Sequence, residues 1–352
     1  MLLVRNSDAI ATRVMRAAAI MAALACATAA RADTTVDVQL TPEGDQLAQQ
    51  LGVTPAQLAA QVKANIDDAY QTSNIDSFLS DFVDATSFSA RGIGVDYASL
   101  PKGFVAGFAV NVAAAGDQQL RADERPTAGL AANLAVMVGM NLAEWKLPRW
   151  TIYANGFYRN AELERLDGSI LTAGAHVQYT VIPAPKSGGT GTFVRWIGLH
   201  ATTGVELTRW SLGNSDTLST DFDVGSGGTN ANVDVDLVGQ LDLRTQAITV
   251  PLEATTGLRI MWLATLYAGV GVDFTIGSGE LTANMSGTAR ADDGRDLGTV
   301  TITGGGSSNG SPATVRGLAG LQINLWKLKV FAQLNASQAP AASVAFGLKF
   351  VQ

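Results

Sequence analysis

Cysteine is almost absent from this chain: among 352 residues, Cys26 is the single one. It lies in an apolar stretch near the N-terminus, so the remainder is excluded from disulfide frameworks and thiol catalysis. Histidine is nearly as scarce, with only His176 and His200, which leaves little for a nitrogen-rich metal site. Charge is thin as well. Charged residues make up 16% of the chain, where a soluble domain carries about a quarter. The net charge of −7 offers no basic face for phosphates, so nucleic acid is not expected as a partner. No apolar run reaches the ~20 residues that a spanning helix needs.

The N-terminus has the form of a secretory leader. Arg5, Arg13 and Arg16 precede the apolar run 17–30, and Ala30-Arg31-Ala32 fits a small-x-small cleavage site. Residues 1–32 are therefore expected to be a signal peptide, with the mature chain beginning near Asp33. Cys26 leaves with it. Loss of Arg5, Arg13, Arg16, Arg31 and Asp8 takes the formal charge from −7 to −10.

An exported, apolar-rich chain without spanning helices can still face lipid through strands. The other structure that satisfies its whole backbone in a bilayer is a closed sheet. Residues 33–101 have helical spacing instead. Thr41-Pro42 and Thr54-Pro55 place a capping hydroxyl before proline, and Leu58, Val62 and Ile66 predict a helix over 55–70. Asn74 is a candidate cap for a second helix bearing Ile75, Phe78, Leu79, Phe82 and Val83. Such helices must bury one face, in a barrel lumen as a plug or at its periplasmic mouth.

From about Phe104 the period becomes two. Leu130, Leu134, Val136, Val138 and Met140 alternate with small or polar residues, and the last stretch sets Val344, Phe346, Leu348 and Phe350 against Ser343, Ala345, Gly347 and Lys349. The pattern predicts an all-β fold over 102–352: a closed antiparallel transmembrane barrel of about fourteen strands, with twelve to sixteen open. A soluble sandwich or propeller would use strands of about 5–6 residues, whereas many here run roughly 11 to 15, enough to cross a membrane at a tilt. Tight turns at 143–148, 261–263 and 326–327 fall on one side. They gather Trp145, Trp150, Trp262 and Trp326 into an interface belt.

The closing strand resembles that of Gram-negative outer-membrane β-barrel proteins. The resemblance implies a cell outer membrane location, outer-membrane lipid around the barrel, and the barrel-assembly machinery as the reader of Val344, Phe346, Leu348 and Phe350. The helical segment before an even barrel, with Ser89-Ala90-Arg91-Gly92-Ile93-Gly94-Val95-Asp96-Tyr97-Ala98, faintly resembles the plug of the long-chain fatty-acid outer-membrane transporter family. That likeness implies uptake of hydrophobic small molecules through a plugged barrel.

Chemistry is sparse. His176 and His200 fall on the inward face of neighbouring strands whose hairpin centres near Gly188, so they are expected opposite each other. A metal or pH-sensitive pair is one reading; hydrogen bonding to lumen Thr or Gln is the other, and only Glu206 offers a third ligand. Gln178 joins these three as a lumen-facing candidate. Asp221, Asp223, Asp234 and Asp236 suit a solvated acidic face better than a calcium site. The glycine runs lack the lysine and helix of a phosphate loop. No catalytic set can be assembled, and neither a cofactor nor a metal is expected. The expected inner face is mostly Gly, Ala, Thr, Asn and Gln, without the opposing charged rings of a porin-like constriction. The reading is a channel or transporter for small hydrophobic solutes, with the lumen occluded by the N-terminal segment. A structural or adhesive barrel, or a lipid-modifying enzyme, stays open as the alternative.

Overall fold

An alternating strand leaves backbone groups unpaired at its edges, and only closure on itself removes them within lipid. The structure, a computed structural model, describes residues 31–70, 75–99, 101, 103–116, 128–163, 166–185, 193–226 and 229–352. Most of the expected signal peptide, Asn74 and the centre of the histidine hairpin lie outside these described residues. In chain order the elements begin with β1 (Arg31–Leu40) and three helices: α1 (Pro42–Gln50), α2 (Pro55–Tyr70) and α3 (Ile75–Ser89). Eleven further strands follow: β2 (Phe104–Ala115), β3 (Gly129–Asn141), β4 (Trp150–Leu163), β5 (Leu166–Pro183), β6 (Val194–Ser226), β7 (Thr229–Ile260), β8 (Ala264–Ala291), β9 (Asp296–Asn309), β10 (Ala313–Leu325), β11 (Leu328–Ser337) and β12 (Ala341–Val351).

All pairings are antiparallel. Strands β2 to β8 pair in succession, β10 takes the lower part of β8, and β11 and β12 lead back to β2. Ten strands thus close a ring. Its first and last strands pair along their length, from Ala115↔Ala341 to Val105↔Val351, and their chain ends share one rim, where Gly103 N–H donates to the Gln352 carbonyl at 3.0 Å. The tight turns lie at that same rim. Each contains one of the non-glycine residues with positive φ, namely Lys146, Met261 and Trp326. The four belt tryptophans sit beside them, with Trp326 84% and Trp262 72% exposed.

Outward residues of the ring, with exceptions such as Thr256 of β7, are mostly apolar. On β7 these are Leu258, Ala254, Leu252, Val250 and Ile248, exposed or half-exposed, while Thr255, Glu253, Thr249 and Thr245 are buried inside. The span from Leu258 to Ile248, at about 3.3 Å per residue and a tilt of about 40°, rises about 25 Å, the height of an outer-membrane apolar band.

Above this band the pattern inverts. On the upper part of β7, Val233, Val235 and Leu237 are buried on the inward parity, while Asp234, Asp236 and Val238 point outward. Strand β8 does the same, with Val270 and Ile276 exposed below and Met285, Ala289 and Ala291 buried above. The reason is a change of solvent: lipid lies outside the lower half, water outside the upper half. The upper parts of β6, β7 and β8 continue into β9, and β1 adds to the edge of β9. Helices α1 and α2 cover this extension. Leu47, Ala48, Leu51, Leu58 and Val62 pack against Val36, Val224, Val235, Leu237, Leu297, Val300 and Ile302 in a second core outside the apolar band.

These continuities correct the expected count of about fourteen. The segments 197–207 and 216–224 are one strand, as are 233–243 with 248–260 and 266–276 with 281–290. Among the described residues, twelve strands form the sheet and ten form the ring. Asp167-Gly168 lies inside β5 paired with β4, while Asp293-Gly294 turns β8 into β9 with Gly294 at φ 82°.

Inside the ring, bulk is fitted by glycine. Gly320 sits directly opposite Tyr267, and a Cβ there would lie 2.2 Å from the ring. The ring rests in that space and its hydroxyl donates to Gln333 at 3.1 Å. Gly320→Ala is expected to cost about 1–3 kcal/mol by displacing Tyr267, measured by urea unfolding in liposomes. An unchanged midpoint would mean the ring can move freely.

Candidate functional site

The candidate site is the ring interior and the chain threaded through it. Helix α3 enters at the rim opposite the tight turns. There Asp84 accepts from Ser311 N–H at 2.7 Å and from its hydroxyl at 2.6 Å, and Ser80 donates to the Asn309 carbonyl at 3.1 Å. The last carbonyls of a helix lack intrahelical partners, and the wall supplies them. Asn111 of β2 donates its amide to the carbonyls of Phe88, Ser89 and Arg91 at 3.3, 2.8 and 2.7 Å.

Residues 90–99 then descend without regular structure. Gly92 turns the chain at φ 81°, and a Cβ there would lie 2.4 Å from the Gln333 amide. Ile93 is wholly buried against Ala109, Ala135, Phe331 and Ala345. Tyr97 stacks on Tyr267 with ring centroids 6.0 Å apart. Asp96 turns the chain by accepting from the N–H groups of Ala98 and Ser99, both at 3.1 Å. Near the tight-turn rim, Ser99 exchanges bonds with Gln322, and the Ala98 carbonyl accepts from Arg259 at 3.2 Å. Residues 75–99 therefore run from one rim to the other.

Two sets of buried charge hold this segment. Arg91 lies 2.7 Å from Glu206 and 3.4 Å from Asp273. Beside it, Arg316 donates to Asp273 at 2.8 Å, pairs closely with Glu253 and reaches Asn335 at 3.4 Å. Lower down, Lys349 of the closing strand lies 3.3 Å from Asp96 and 4.0 Å from the centre of the Phe331 ring. Buried charges are tolerable only when paired in this way. The expected inner face of mostly Gly, Ala, Thr, Asn and Gln is thus corrected: Glu253, Asp273 and Arg316 face inward together with Glu206 and Lys349. Each is a single charge on a Thr- and Gly-rich face, and only strand register gathers them. An isolated charge at inward parity was the available signal.

His176, His200, Gln178 and Glu206 are all inward and buried. The histidines do not oppose each other, however. The ladder departs from the expected register from its first pair, Pro183↔Gly198, and beyond a bulge between Thr180 and Ile182 His176 faces Gly204 and His200 faces Thr180. His176 sits 3.3 Å from Glu206 and 3.2 Å from Asn155, whereas His200 meets the Ile197 carbonyl at 3.2 Å and Thr180 at 3.3 Å. Among the described residues no group of three or more candidate ligands is placed to hold a metal. The outward face of β12 carries Val344, Phe346, Leu348 and Phe350, with Phe350 5.9 Å from Phe104 across the closure.

The wall is split at one place. Strand β3 pairs with β4 only from Asn141↔Thr151 to Val136↔Gly156, although β2 pairs with β3 up to Ala115↔Gly129 and β4 with β5 up to Leu163↔Leu166. Above Val136 the facing edges, 129–135 and 157–163, share no ladder among the described residues. Asn133 reaches past β4, accepting from Thr172 of β5 at 3.0 Å. Leu130 beside the split and Val112 on the next strand are exposed and apolar, so the split lies in the lipid-facing band. Behind it lies an aromatic cluster that touches Ala131 on one side and Ile170 on the other. There Phe78 stacks on Phe82 at 5.9 Å, and Phe82 meets Trp210 edge-on at 6.2 Å.

A closed antiparallel ring with an apolar outer band and a polar, charged interior is an outer-membrane β-barrel. More narrowly, the chain belongs to the Lsa36-like family, whose model matches residues 29–352. No curated protein matches the chain. Similar solved structures include Ail, the attachment invasion locus protein of Yersinia pestis, at 11% identity over 70% of this chain and 96% of that one, with a TM-score of 0.25. Another is the translocator domain of the autotransporter NalP from Neisseria meningitidis, at 12% identity over 84% and 99%, TM-score 0.28. A third is the CymD monoaromatic hydrocarbon channel, at 9% identity over 78% and 97%, TM-score 0.22. With TM-scores this low, the functional reading rests on the geometry of this chain alone.

Proposed function

We propose that the protein is an outer-membrane channel for small apolar solutes, with the axial route occluded by residues 75–99 and exchange through the split between β3 and β4. The observation that carries this reading is the coincidence of that split with the lipid-facing band and the aromatic cluster of Phe78, Phe82 and Trp210. An apolar solute gains by leaving water for such a cluster. The axial segment is tied down by buried ion pairs, which suits a barrel that admits solute sideways. In this reading β12 also serves as the assembly signal, and no catalytic role is assigned.

The test is to bridge the split. Past the last outward pair, Val136 and Gly156, the next outward positions are Leu134 and Tyr158. Cysteines placed at both would be the only thiols once the leader is removed. A short thiol-reactive cross-linker between them is expected to slow uptake of an apolar fluorophore into liposomes at least roughly tenfold, while the unbridged double variant behaves as the parent. Equal uptake before and after bridging would sink lateral entry. The second reading is an adhesive barrel, supported by the separate core formed by α1, α2 and the upper sheet. No uptake in any form, bridged or not, would favour it.

A further inference from the structure

We propose that Glu206, Glu253 and Asp273 form a binding site for a guanidinium-type organic cation, and that Arg91 of the threaded segment occupies it as a built-in ligand. The three carboxylates come from the adjacent strands β6, β7 and β8, and all are buried. The wall itself supplies one arginine, Arg316, committed to Glu253 and to one oxygen of Asp273. That leaves Glu206 with His176 at 3.3 Å as its wall neighbour; Arg91 adds 2.7 Å to Glu206 and shares with Arg316 the Oδ2 of Asp273, whose Oδ1 stays open. The second cation, Arg91, arrives on a different part of the chain.

The site retains unused acceptors. Glu253 Oε2 and Asp273 Oδ1 are buried and have no hydrogen-bond partner among the described residues. A cavity of about 20 Å³, room for about one water molecule, is lined by Asp84, Arg91, Asp273 and Ser311, between the cluster and the outer rim. The segment carrying Arg91 adds no strand to the ladder, so its guanidinium can leave without breaking the wall. The flat fork of a guanidinium suits two carboxylates on neighbouring strands better than the point charge of an ammonium. This goes beyond the channel reading and is independent of whether apolar solutes cross.

The test uses full-length Arg91→Ala in detergent, with methylguanidinium as probe and methylammonium at equal ionic strength as control. Methylguanidinium is expected to raise the thermal midpoint of Arg91→Ala saturably, and to act at concentrations roughly tenfold lower than methylammonium. The parent, whose site is filled, should not respond. Adding Glu206→Gln to Arg91→Ala should abolish the rise. Absence of a saturable rise, or equal potency of the two cations, overturns the proposal. Should Arg91→Ala fail to assemble, methylguanidinium present during refolding is expected to restore the heat-resistant barrel, and failure to restore it overturns the proposal equally. Apolar uptake plays no part in these readouts, so the two proposals fail separately.

Discussion

Replacing Arg316 with methionine is expected to cost about 3–5 kcal/mol of folding stability, because it leaves Glu253 buried without its cation and Asp273 with Arg91 alone. Arg316 is 1% exposed and its partners Glu253 and Asp273 are 8% and 3% exposed, so solvent cannot take over its role. The sign depends on what else is changed. A buried pair replaced whole by neutral groups of similar size is often close to neutral, whereas removal of one partner is strongly destabilising. The triple variant Arg316→Met, Glu253→Gln, Asp273→Asn should therefore recover most of the loss. Urea unfolding in liposomes gives both values. If the single variant unfolds like the parent, the lumen is wet around Arg316 and the ion pairs on Arg91 hold the threaded segment only weakly.

What was legible in the sequence follows from where lipid acts. Val136, Val138, Leu266, Val270 and Leu348 alternate cleanly because acyl chains tolerate nothing polar on that face. Closure, the tight-turn rim and the outward face of β12 could be read from them. The strand count could not, because β6, β7 and β8 pass from lipid into water and their apolar parity switches. Val235 and Leu237 point inward, while Ile248 and Val250 of the same strand point outward, so one strand reads as two. Strand β1 carries a faint signal in Val36, Val38 and Leu40, but it lies between an expected cleavage site and two helix caps. The charged cluster was hidden for another reason. Glu206, Glu253, Asp273 and Arg316 are distant in sequence, and only the register Glu253↔Gly271 and Gly271↔Arg316 brings them side by side. The histidine pairing failed because the hairpin centre was placed at Gly188: Pro183↔Gly198 already runs off that register, and the bulge at Thr180 moves it by only one residue.

The membrane boundary itself has a sharp test in two valines of nearly equal exposure. Val270 on β8 is 63% exposed and Val238 on β7 is 60% exposed, both pointing outward from the same sheet. By surface area alone they are alike. Val270, however, lies midway along the apolar part of β8, between Ala264 and Ile276, whereas Val238 stands among Asp236 and Gln240 on the extension. Val270→Arg is expected to cost about 2–4 kcal/mol, the penalty for a guanidinium on the lipid face of a barrel near the bilayer midplane. Val238→Arg should stay within about 0.5 kcal/mol of the parent, as surface substitutions in water generally do. Liposome unfolding of the two variants side by side removes any common effect of adding an arginine to a strand. Similar losses at both positions would put the extension in lipid too and dissolve the second core as a separate layer. Negligible loss at both would mean that the outer band does not meet acyl chains, and a split opening into that band could then deliver nothing from a membrane.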